Sequence, residues 1–149
     1  MDKVKIFPST RSYLYALKCF LYEAIQNDWH EYNELKKEKA ETIAIAKQRS
    51  AEYRNDNSDF PIADYSRPYW NKVAELGSKM DRVLNRKDSH AKSYQDLKQL
   101  LDTAEFELGQ TQEGRQYKIL VVDRTAYVEE LLDLVKSNKE LLEKYKRSF

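Results

Sequence analysis

Tyr117-Lys118-Ile119-Leu120-Val121-Val122-Asp123 is the stretch on which the fold turns. It is a β-branched apolar run, so it reads either as a buried strand or as the opening of a helix. The residues that follow favour the helix. Tyr117, Val121, Val128, Leu131, Val135, Leu142, Tyr145 and Phe149 recur at steps of three and four, which is a heptad seam. A second line, Ile119 or Leu120, Tyr127, Leu134 and Leu141, runs beside it and widens the apolar face to what a bundle core uses. A parallel sheet would need further strands, and no second run of this kind lies upstream. The expectation is a last helix over about 112–147, with a strand at 117–123 as the alternative. Arg124 and Asn138 occupy two seam steps, where a polar residue either sets register against a copy of the helix or marks a drift that turns it outward.

Working outward, the rest of the chain is also helix-like. Only three glycines and three prolines occur in 149 residues, while 34% are charged, a composition that excludes sandwiches and doubly wound folds. Pro8-Ser9-Thr10 is a helix-start signal, and no glycine or proline follows until Pro61. Leu14, Leu17, Leu21, Ile25 and Trp29 share one stripe of that span, so a long first helix over about 10–54 is expected. Asn55-Asp56-Asn57-Ser58-Asp59 ends it, because short polar side chains compete for backbone hydrogen bonds. Pro61 and Pro68 bias the residues before them away from helical geometry, which makes 55–67 a connector. Tyr69, Val73, Leu76, Met80 and Val83 then define a helix over about 68–86. Asn85-Arg86-Lys87-Asp88-Ser89 reads as a turn. Tyr94, Leu97, Leu101, Ala104 and Leu108 define a helix over about 92–108, closed by Gly109. The predicted architecture is all-α: one helical domain over 1–149, a bundle of about four helices whose first and last are long and partly coiled-coil-like.

Catalytic and metal chemistry find little material. The two histidines, His30 and His90, lack a glutamate three residues before them, so the helical di-iron motif is absent. There is no H-E-x-x-H pair, no C-x-x-C, no phosphate-binding glycine loop and no G-x-S-x-G elbow. Trp29 is followed by His30 and Glu31 and Trp70 by Asn71 and Lys72, so the W-x-G of the small helical-hairpin partners of type VII export is missing too. No catalytic residue, cofactor, metal or small-molecule substrate is expected. Cys19 is the sole cysteine, which rules out an intramolecular disulfide. With a net charge of +1, an N-terminal apolar stretch too short for a signal peptide and no run long enough to span a bilayer, a cytoplasmic protein without membrane contact is the simplest expectation.

Two surface features carry functional readings. Eleven tyrosines and two tryptophans are present, and several crowd the first helix. Tyr15, Cys19 and Tyr22 lie on a side of it distinct from the Leu14, Leu17 and Leu21 stripe, so one helix presents two apolar faces. The extra face implies a partner, since Tyr and Trp bury large areas at low conformational cost. Trp29 extends that surface, and Tyr127, Leu134 and Leu141 supply a second one on the last helix. The expected function is thus a non-enzymatic protein-interaction module, acting as adaptor, inhibitor or structural subunit, paired with itself or with another chain. The rival is a nucleic-acid-binding subunit, in which Lys72, Lys79, Arg82 and Arg86 line one flank of the second helix and track a phosphate backbone.

Overall fold

A computed structural model describes residues 2–56 and 62–146. In chain order it contains β1 (Lys3–Ile6), α1 (Pro8–Asp56), α2 (Ile62–Thr103), β2 (Glu105–Gln110), β3 (Gln116–Asp123), α3 (Ala126–Ser137) and α4 (Lys139–Lys146). Helix dominates and the first helix is long, as composition dictates. A small three-stranded antiparallel sheet of order β1-β3-β2 is added to it.

Several boundaries differ from the sequence reading. The run at 117–123 is the central strand, not the start of a helix, so the expected last helix is instead β3 followed by the separate α3 and α4. The chain does supply partners for that strand: β2 and β1 pair antiparallel on its two sides, and neither needed to resemble it in composition. The third predicted helix ends early, because 105–110 is strand. The turn expected at 85–89 does not form. With no glycine or proline there, α2 runs unbroken from Ile62 to Thr103 and even carries Pro68, at the cost of one backbone hydrogen bond. Of the expected connector, residues 55–56 end α1 and residues 62–67 open α2, whose helix absorbs Pro68, while residues 57–61 lie outside the described residues.

Local chemistry explains the junctions. Pro8 occupies the first turn of α1, where a missing amide proton costs nothing. Between β2 and β3 the amide of Gly114 donates to the Thr111 carbonyl at 3.0 Å and that of Thr111 to the Arg115 carbonyl at 2.8 Å. Gly114 has φ +87°, the left-handed conformation that a short hairpin loop of this kind places on glycine. Asn138 ends α3: its Nδ2 donates to the Leu134 carbonyl at 2.8 Å, and its carbonyl accepts from the Leu142 amide at 2.9 Å, so the chain restarts as α4. The polar seam residue is a helix cap. Arg124 sits in the exposed β3–α3 connection and donates to Glu129 at 2.6 Å.

Contacts divide the chain into two compact units, Met1–Ile25 with Ser89–Phe149, and Gln26–Asp88. In the first, Ile6 and Val122 of the sheet pack with Leu14, Leu17 and Leu21 of α1, Leu97 and Leu100 of α2, Val128, Leu131 and Val135 of α3, and Leu142 of α4. The α3 and α4 positions are those of the predicted seam. Its 3.6-residue period survives the break at Asn138. In the second unit, the α1 and α2 segments bury Asp28, Thr42, Ala46, Ser66, Leu76 and Val83. Ion pairs supplement this smaller apolar set: Arg86 with Asp28 at 2.8 Å and Lys72 with Glu38 at 3.3 Å. Among the described residues, no helix is long and apolar enough to cross a membrane.

Candidate interaction surfaces

The tyrosine side of α1 is sorted residue by residue within the first unit. Leu14, Leu17 and Leu21 face inward, whereas Tyr15 is 41% and Tyr22 57% exposed. Cys19, between them on the same stripe, is half-buried. Tyr13 and Phe20, also read from the sequence as part of the aromatic crowd, serve the core instead. The Tyr13 hydroxyl donates to Glu143 of α4, and the Phe20 ring meets Tyr145 edge-on at 5.6 Å. Tyr94 of α2 adds an aromatic neighbour the sequence did not assign, its ring centroid 6.4 Å from that of Tyr22. A strip of exposed Tyr15 and Tyr22 with half-buried Cys19 between them, and Tyr94 beside it, therefore lies on a helix whose leucine face is already committed to the core.

Trp29 belongs to the second unit. Its ring meets Tyr32 edge-on at 5.9 Å and carries the Lys87 ammonium 4.6 Å from its centroid, yet 42% of it remains exposed. On α3 and α4, Tyr127 and Leu134 pack against the core as half-buried residues, and Leu141 is exposed at 36%. Tyr127 and Leu134 form the outer margin of the core-facing side, and Leu141 stands outside it.

Three of the four cations of the predicted basic flank stand in ion pairs. Lys72 meets Glu38, Lys79 meets Glu75 at 3.5 Å, and Arg86 bridges Asp28 and Glu31. Arg82 is exposed. Cations already matched to carboxylates release few counterions on binding a phosphate backbone, so this geometry does not favour the nucleic-acid reading.

The sheet contributes a surface that the sequence reading missed. Phe106 and Leu108 of β2 are 59% and 60% exposed. The alternation Glu105-Phe106-Glu107-Leu108 was the available signal, a period of two inside a stretch assigned the period of a helix. A cleft near β1 is lined by Lys3, Gln99, Thr103, Glu105, Asp123, Thr125 and Tyr127, and its one cation is already paired, Lys3 to Asp123 at 2.5 Å. Among the described residues, no cluster of three or more His, Cys, Asp or Glu side chains is placed to hold a metal ion. Comparison of the chain with protein-family models, with curated proteins and with solved structures gives no match.

Proposed function

We propose that this chain is a non-enzymatic protein-interaction module, an adaptor, inhibitor or structural subunit, that docks a second protein through the tyrosine strip of α1. The observation that supports this is the double use of one helix: Leu14, Leu17 and Leu21 are buried while Tyr15 and Tyr22 stand in solvent. Large amphipathic rings on a rigid helix lose little conformational entropy on binding, which is what makes such residues interface anchors. The half-buried Cys19 and the neighbouring Tyr94 ring continue the apolar ground between the anchors.

The test uses the full chain in the cells that make it. A photo-crosslinking phenylalanine analogue at position 22 is expected to yield one dominant protein adduct that the same analogue at Glu34 does not yield. Tyr15→Ala/Tyr22→Ala should keep the melting temperature and lose that partner. No adduct at position 22, or a partner retained by the double variant, would overturn the proposal.

A further inference from the structure

We infer that the outer edge of β2 is a self-pairing edge, and that two copies of this chain join their sheets through it about a dyad at Leu108. The phase of the ladder supplies the first argument. Thr111 donates to the Arg115 carbonyl, so these two form a hydrogen-bonded pair. Alternation then turns the backbone groups of Gly109, Glu107 and Glu105 toward β3 and those of Phe106, Leu108 and Gln110 away from it. The outward row is unpaired by β3, and Glu105 to Leu108 and Gln110 are all exposed.

The two edges of this sheet are treated differently. β1 is four residues long and carries Lys3 and Lys5, both exposed, which is how a sheet edge is protected from pairing. β2 has six residues with no lysine and no proline, and it holds Phe106 and Leu108, the two most exposed large apolar side chains among the described residues. Such an edge is a template for another strand.

Register identifies the occupant as a second copy. A dyad at Phe106 sets Glu105 opposite Glu107 of the other copy, and a dyad at Glu107 sets that glutamate opposite itself, both like-charge pairs that destabilise a ladder. A dyad at Leu108 avoids both. There Leu108 faces Leu108, Phe106 faces Gln110 and Glu107 faces Gly109, so the outward backbone groups exchange hydrogen bonds pair by pair. Glu105 faces Thr111, and the exposed Arg115 lies one strand beyond on the same face, where opposite charge favours the pairing. Phe106 and Leu108 of both copies then form one continuous apolar strip. The edge is short, so a dissociation constant in the range of about 1–100 μM is expected.

The experiment is sedimentation velocity of the full chain from low to high micromolar concentration, with circular dichroism confirming that each variant folds. Wild type should dimerise with concentration. Leu108→Lys and Leu108→Glu, each placing like charges across the dyad, should each weaken the dimer by about tenfold or more. An equimolar mixture of the two should dimerise again, because only a residue at the dyad meets its own counterpart. A wild type that stays monomeric, a dimer indifferent to Leu108→Lys, or charge variants whose mixture fails to pair would each overturn the inference. The Tyr15→Ala/Tyr22→Ala variant should keep this dimer; loss of the dimer there with retention in Leu108→Lys would move self-association to the tyrosine strip and overturn it as well.

Discussion

Arg86 Nε donates to Oδ1 of Asp28 at 2.8 Å, and the aspartate is only 3% exposed while its arginine partner keeps nearly half of its side chain in water. The pair joins residues 58 apart in sequence and fixes the level at which the two helical segments of the second unit face each other. A second guanidinium nitrogen reaches Glu31 at 2.5 Å. The fork is thereby held by two carboxylates, and the arginine proton is bound more tightly than in water, first through the hydrogen bond to Glu31 and then through that to Asp28.

Removing one partner of this pair is expected to cost more than removing both. Arg86→Met leaves a buried carboxylate without its cation and should destabilise the protein by about 1–2 kcal/mol, reduced by the water that reaches the exposed guanidinium. Asp28→Leu/Arg86→Met should recover part of that loss. Urea denaturation of the two single variants and the double variant measures the coupling.

Stability should fall in alkali. The Tyr13 hydroxyl is held above the ordinary phenol value of 10.0 by the hydrogen bond it donates to Glu143, with burial and the carboxylate's charge adding to it. Tyr145 is raised chiefly by burial, then by its hydrogen bond to Glu23. In both, the fold favours the protonated phenol, so the contribution is complete below about pH 10 and disappears as pH rises through the folded value. Lys3, raised by its hydrogen bond to Asp123, titrates in the same sense. Melting temperatures from neutral pH to about pH 11 should therefore drop for wild type and less steeply for Tyr13→Phe; equal slopes would remove Tyr13 from the account.

The hairpin depends on two glycines for different reasons. A Cβ on Gly109 would meet the Tyr117 ring at 2.5 Å, because that ring lies across the glycine. Gly109→Ala must push the ring aside and should cost about 1 kcal/mol, reduced if Tyr117 is also truncated. A Cβ on Gly114 meets only Gln110 Nε2, at an ordinary 3.8 Å, yet the φ of +87° makes Gly114→Ala cost about 1–2 kcal/mol, and Gly114→Asn should cost less. Thermal melts of the set separate crowding from backbone strain.

Two leucines should respond in opposite ways to the same substitution. Leu142 is fully buried and Leu108 is 60% exposed. Leu142→Ala is expected to lose about 2–4 kcal/mol, whereas Leu108→Ala should stay within about 0.5 kcal/mol at concentrations where the protein is monomeric. Denaturant midpoints at low micromolar protein decide between them.

Helical periodicity carried correctly wherever a single element buries a single stripe. Leu14, Leu17, Leu21, Leu97, Val128, Leu131, Val135 and Leu142 were all legible as core, because their spacing alone puts them on one side of a helix. The same geometry set Tyr15 and Tyr22 apart from the leucine stripe, but whether they stand in solvent or edge a wide core was settled only by the packing around them.

Strand pairing was a different kind of fact. Whether Tyr117 to Asp123 became helix or strand rested on Lys3–Ile6, more than a hundred residues upstream, and on Glu105–Gln110, whose period-two alternation is short and lay inside a stretch read as helix. Likewise the cations of α2 looked like a free basic flank until Glu38, Asp28 and Glu31 of α1 came alongside two of them, Lys72 and Arg86. The helical class, the inward stripes and the aromatic richness of α1 follow from composition and from the fixed 3.6-residue turn of the helix. Only the tertiary structure decided which β-branched run is paired, which charges are matched and which strand edge stays open, since hydrogen-bond ladders and ion pairs are made between residues whose separation along the chain carries no record of their meeting.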